Sequence, residues 1–259
     1  MSAAARAQHL ALPRAAALMM HAASYLRGDA GPDDIVQLSL GSGRDRHGAE
    51  GVELFDWLTS LRRIPLLHLR LVLPLPGRIA GLVGPPEAVE AALACEQAVV
   101  VTAAGLPDHT LVPEVTPVSS VDGPIGLVDW MHYPAPRGAS LPPTPSSGTA
   151  REQLLRVMQA AARSTVDLDL VPDEPIPADE LPLSWIRAVP PRHLSAADAH
   201  LLELAGRVLV LTGYEFTAGS PHARGLADDQ ARRTILEQLR DAAREALVET
   251  VERAADVAG

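Results

Sequence analysis

The residues best placed for chemistry lie in Leu40-Gly41-Ser42-Gly43-Arg44-Asp45-Arg46-His47-Gly48. Glycines let the backbone curl, and amides exposed at a helix start can hold an anion. Arg44 and Arg46 can each grip a phosphate or carboxylate through paired N–H groups, and a histidine such as His47 suits proton transfer. A ligand set of Gly41, Ser42, Gly43, Arg44, Arg46 and His47 is therefore expected if the chain binds an anionic small molecule or nucleotide. The spacing completes neither phosphate fingerprint. After Gly41 and Gly43 the dinucleotide motif needs Gly or Ala at position 46, which is arginine. The P-loop needs a lysine, and the chain has none. An ordinary strand-to-helix turn is the competing reading.

Other groups carry weaker signals. None of the 9 histidines forms H-E-x-x-H, H-x-x-x-H or a Cys/His pair at zinc spacing, so no metal is expected. His68 and His132 could meet across strands as a polar pair. Asp129 and His132 with Ser119, Ser120 or Ser184 would make a hydrolase set, but no G-x-S-x-G elbow exists. Asp167, Asp169, Asp173 and Glu174 lack the glycine and residue order of a calcium loop. Cys95, the single cysteine, sits in the apolar Ala91-Ala-Leu-Ala-Cys95. A buried thiol is expected there, together with a reducing compartment.

Composition removes further classes. All 22 basic residues are arginine, which excludes Schiff-base lysines, lysine general bases and Walker-type NTP hydrolysis. No cofactor is expected. With 32 acidic residues the formal net charge is 22 − 32 = −10, which opposes nonspecific nucleic-acid binding. No apolar run reaches about 18 residues, so no membrane span is expected. Arg6 and Arg14 before a short apolar run make only a weak signal peptide, and a cytoplasmic location is expected.

The elements that must position these residues follow from periodicity. Residues 14–27 read as a helix stopped by Gly28, residues 35–40 as a strand, 49–63 as a helix and 66–73 as a strand. On that strand Leu67, Leu69, Leu71 and Leu73 face one side; His68, Arg70 and Val72 face the other. A helix from Pro85 to about Gln97 precedes strands at 98–102, 111–116 and 125–133. The expected fold class is α/β, with α+β as the alternative: a mixed sheet with packed helices in the N-terminal half and a mainly helical C-terminal half. The expected division is a sheet domain at 1–133, a Pro-rich linker at 134–148 and a helical region at 149–259, interrupted by an acidic Pro-rich loop at 167–182. Thr149-Ala-Arg-Glu152 opens a helix to about 165 as a capping box. Further helices are expected from Ser195 to about Gly213, where 207–212 could instead be strand, and from Asp228 or Asp229 to about Val257. The last carries an apolar stripe of Leu236, Leu239, Ala243, Leu247, Val251 and Ala254.

Leu73-Pro-Leu-Pro-Gly77, Gly81-Leu-Val-Gly-Pro-Pro86 and the segment Asp228–Leu247 resemble an uncharacterised group of high-GC actinobacterial proteins. The resemblance implies a source; no activity and no catalytic residue come with it. The glycine loop is also similar to that of methyltransferases, except that Gln37, Leu38 and Ser39 stand where an acidic residue belongs. Two functions remain. One is a non-catalytic protein–protein interaction module that binds a protein partner or a second copy of itself through its terminal helix. The alternative is an enzyme or sensor holding an anion on Gly41–Gly48.

Overall fold

Arg14-Ala-Ala-Ala-Leu-Met-Met-His-Ala-Ala-Ser-Tyr25 has no polar stripe, and a helix apolar on every side has to be covered on every side. The computed structural model, which describes residues 9–65, 67–79, 81–104, 107–121, 123–136, 148–167, 181–218 and 226–256, does this. Every residue from Arg14 to Tyr25 is buried in α1 (Arg14–Arg27). Fully burying Leu18, Met19 and Met20 is worth roughly 1.5–3 kcal/mol for each side chain. Gly28 ends the helix in the left-handed conformation, its N–H donating to Tyr25 O (3.0 Å) while Asp29 N–H reaches Ser24 O (2.9 Å).

The chain divides into two compact units. The first comprises Met1–Pro145, Leu183–Ser195 and Val251–Gly259. It runs β1 (Leu10–Pro13), α1, α2 (Pro32–Leu38), β2 (Arg46–His47), α3 (Leu54–Leu61), β3 (His68–Val72), α4 (Pro86–Cys95), β4 (Ala98–Thr102), β5 (His109–Val118) and β6 (Ile125–Pro134). The second comprises Ser146–Pro182 and Ala196–Thr250. It holds α5 (Ala150–Asp167), α6 (Ala196–Ala218) and most of α7 (Leu226–Ala255), while β7 (Trp185–Ala188) belongs to the first unit.

The main sheet has the order β2-β6-β5-β4-β3. Its long pairings are antiparallel; only the two-residue β2 runs parallel to β6. The class is therefore α+β with a mixed sheet, and the C-terminal half is mainly helical, including residues 207–212. A second ribbon pairs β1 with β7 antiparallel, Leu10 opposite Ala188. Helix α1 packs on the sheet, on β7 and on α2 and α3. Gln97, 1% exposed, ties these layers together. Its Oε1 accepts Ala15 N–H (2.8 Å), and its Nε2 donates to Ser184 O (2.7 Å).

Several sequence expectations need correction. Residues 35–40 are no strand: 32–38 is helical. Pro32 stands at the first turn with Asp33 and Asp34, and the Asp34 carboxylate accepts Gly31 N–H (3.3 Å). Ile35 and Ser39 face inward four residues apart, the helical interval. The helix expected over 49–63 shortens to Leu54–Leu61, because residues 48–52 lie against β6 instead. On β3 both faces are covered, since Arg70 and Val72 are buried as well as Leu69 and Leu71. Most of the Pro-rich stretch 134–148 and of the acidic stretch 167–182 lies outside the described residues.

Candidate functional site

The glycine–arginine loop follows α2, and its own Arg46 and His47 form β2 against β6, so no helix starts on it; α3 begins only at Leu54. Gly41 has φ +73°, and a Cβ there would lie 2.8 Å from Ile186 Cβ. Ser42 N–H donates to Arg187 O (3.1 Å). Ser42, Gly43, Arg44 and Arg46 are exposed, and Gly41 and His47 are partly buried. His47 Nε2 lies 3.0 Å from Val36 O and 3.2 Å from Ser39 Oγ. A carbonyl only accepts, so the His47 proton sits on Nε2. The other ring nitrogen is buried with no hydrogen-bond partner. His47 thus anchors the loop to the end of α2.

The residue that organises this loop is Asp45, which pattern reading passed over. Its Oδ1 accepts Gly126 N–H (2.6 Å) and its Oδ2 pairs with the guanidinium of Arg14. Arg14 is 0% exposed and also donates through Nε to Leu183 O (3.0 Å). Burial lowers the Arg14 pKa, and the Asp45 hydrogen bond and charge oppose that. A second carboxylate closes the loop's far end. Asp129 Oδ1 accepts Glu50 N–H (2.8 Å) and Gly51 N–H (3.2 Å). These are amides of the kind a bound anion would use, and the chain's own carboxylates occupy them. Gly51 is required by close approach: a Cβ would lie 2.6 Å from Trp130 N and 2.7 Å from Trp130 O.

The histidine expectation changes partner. His68 and His132 sit on β3 and β6, which are not neighbours in the sheet. His132 instead stacks on His109 of the adjacent strand, with ring centroids 4.4 Å apart. Trp57 Nε1–H donates to His109 Nε2 (3.2 Å), and the backbone at Pro107 engages the ring as well. Burial, then the His132 charge, lowers the His109 pKa to about 4. This is a neutral pair built into the sheet. Asp129 is spent on loop amides, and Ser184 contributes its carbonyl to Gln97 and to Arg14 N–H (3.2 Å). Among the described residues no group of three or more His, Cys, Asp or Glu is placed to hold a metal. Cys95 is partly buried, and burial with the nearby Glu114 charge pushes its thiol up to about 11. That opposes a reactive thiolate.

A cavity of about 260 Å³ lies within the first unit, lined by Leu26, Leu69, His68, Glu252 and Asp256 among others. None of the residues 41–48 lines it. Burial raises the Glu252 pKa, partly offset by Arg70 and by the Leu71 backbone. No local motif marks this place, because its walls come from α1, β3 and the end of α7.

The helical unit carries a different kind of surface. Along α7, Ala243, Leu247 and Val251 are 0% exposed, whereas Ile235, Leu236 and Leu239 on the same helix are only partly buried. The Glu215–Arg232 ion pair and Arg240 over the Phe216 ring (5.6 Å) fix the last turns of α6 beside this part of α7. Tyr214, next to that pairing, is 45% exposed.

One family match is found, over residues 15–147, to the family described as Rv1486c-like protein, N-terminal domain. It covers just over half of the 259 residues. No curated protein and no solved structure matches the chain. Among the described residues no helix is long and apolar enough to cross a membrane.

Proposed function

The chain belongs to the Rv1486c-like N-terminal-domain family, and from that premise we propose that it is a non-catalytic protein–protein interaction module that pairs with a second copy of itself through α6 and α7. The family match stops at residue 147, where the helical unit begins at Ser146. The first unit is then the scaffold and the helical unit supplies the contact. The observation that carries the reading is the incomplete burial of the α7 stripe. The same helix face that is closed from Ala243 to Val251 is left partly open at Ile235, Leu236 and Leu239. A second helix pair would cover it, as in bundle packing.

The alternative, an anion site on Gly41–Gly48, is less favoured because Asp45 and Asp129 already take the loop's neighbouring amides. A cytoplasmic location in a high-GC actinobacterium is the setting that the single cysteine and the all-arginine basic composition support. Light scattering on the full chain tests the pairing. A dimer that becomes a monomer in Leu236→Glu/Leu239→Glu supports it; a monomeric wild type at high micromolar concentration refutes it.

A further inference from the structure

The last turn of α7 is held at its carbonyl end by side chains from elsewhere in the first unit. Arg27, on the last turn of α1, donates through Nη1 to Asp256 O (3.0 Å) and through Nη2 to Ala254 O (2.9 Å). These are carbonyls that a helix end leaves without an internal partner, and a cation there also suits the helix dipole. His193, from the loop before α6, joins the same atoms. Its Nε2 lies 2.5 Å from Arg27 Nη2 and 3.2 Å from Ala254 O. Its Nδ1 lies 3.4 Å from Ser24 Oγ and 3.9 Å from Asp29 Oδ2.

Guanidinium nitrogens only donate. While Arg27 Nη2 donates to it, Nε2 must hold a lone pair, which places the proton of the neutral ring on Nδ1, directed at Ser24 and Asp29; Ala254 O then takes its hydrogen bond from Arg27 and not from the ring. A proton added at Nε2 would face the Arg27 N–H directly. One of the two donors must then leave, and the new Nε2–H can take Ala254 O for itself. The charged and titratable groups around the ring are Arg27 and His21 from α1, Asp29 from the turn after α1, and Asp256 at the end of α7; Arg253 on the same turn is exposed. Asp29 favours the added proton but is half exposed, while Arg27 sits against the ring and opposes it. His21 is 2% exposed and close enough to His193 for their charges to repel.

We propose that Arg27 and His193 form an acid-sensitive clasp on the end of α7, closed while His193 is neutral and opened when protonation of its Nε2 displaces the Arg27 guanidinium from Ala254 O. Burial, then the Arg27 charge, lower the His193 pKa, and the Ala254 backbone and the Asp29 charge oppose them; the net direction favours the neutral ring and the closed clasp.

Hydrogen exchange on the full chain tests this, with the peptide covering residues 251–256 as the reporter and one from β6 as the control for global opening. In the wild type, exchange corrected for its intrinsic pH dependence rises roughly tenfold in 251–256 between about pH 7.5 and about pH 5.5, beyond any change in β6. His193→Gln can accept from Arg27 but cannot be protonated, so its protection stays level over that range. Arg27→Met loses the protection at neutral pH already. The proposal is overturned if wild-type protection of 251–256 follows β6 at both pH values, if His193→Gln opens with acid as the wild type does, or if Arg27→Met remains protected. The wild-type measurement alone decides the first point should a variant not fold.

Discussion

Replacing His21 by leucine should remove about 2 kcal/mol of the stability that the first unit loses between neutral pH and about pH 5. His21 is 2% exposed, and its Nε2 is buried with no hydrogen-bond partner. Burial first, and the His193 charge second, lower its pKa from 6.5 to about 4. The sign follows from which form the fold keeps. The folded chain holds the neutral ring, and the unfolded chain takes up a proton near the ordinary histidine value. Stability from this site is complete above about pH 6.5 and is lost as pH falls toward about pH 4. The full loss is about 3 kcal/mol at about 1.4 kcal/mol per decade, and about 2 kcal/mol is gone by about pH 5. His109, likewise lowered to about 4, adds a similar amount, so these two sites together should cost the wild type about 4 kcal/mol by about pH 5. That is a large part of a typical domain stability of about 5–15 kcal/mol. His21→Leu keeps a buried apolar side chain in α1 and should lose about 2 kcal/mol less than the wild type. The assay is urea unfolding at a series of pH values, followed by tryptophan fluorescence. All 3 tryptophans, Trp57, Trp130 and Trp185, lie in the first unit, so the signal reports that unit alone. Parallel pH profiles for wild type and variant would refute the reasoning.

Further outcomes follow from the same packing. Asp45→Asn leaves the fully buried Arg14 without its counter-charge and should cost about 3–5 kcal/mol, whereas the Arg14→Met/Asp45→Asn double variant recovers part of that loss; denaturant midpoints measure both. Gly51→Ala pushes a methyl into the Trp130 backbone 2.6 Å away and should cost about 1–3 kcal/mol, visible as a lowered Tm. The Cys95 thiol, pushed up to about 11, should react with a disulfide reagent at neutral pH far more slowly in the native protein than in the unfolded chain. Equal rates would show that burial does not protect it.

Local chemistry made some elements readable in the amino-acid sequence and hid others. The buried helix Arg14–Arg27 was legible to its last residue, because a segment rich in Ala, Leu and Met at helical spacing is stopped by Gly28. Ala98–Thr102 was equally plain as a β-branched strand. Ile35-Val-Gln-Leu-Ser-Leu40 misled by alternating like a strand, while the helix-start signals at Pro32, Asp33 and Asp34 outweighed that alternation. β1 and β7 are four residues each and pair across most of the chain, so neither carries a local signature. The candidate loop reads as a strand-to-helix turn but follows α2 and runs into β2, and its organising residue has no local signature. Asp45 has partners 31 and 81 residues away, at Arg14 and Gly126. His132 takes a different neighbour from the one expected: β5 and β6 are consecutive strands joined by a short turn and pair as a hairpin, and His109 lies just outside the strand expected at 111–116.

The interaction reading depends on whether the open stretch of α7 is covered in solution. Sedimentation or light scattering of the full chain, beside its Leu236→Glu/Leu239→Glu variant, measures this directly. A wild-type dimer and a folded monomeric variant are the predicted pair of results. A wild type that stays monomeric at high micromolar concentration, or a dimer that both substitutions leave intact, would contradict the account.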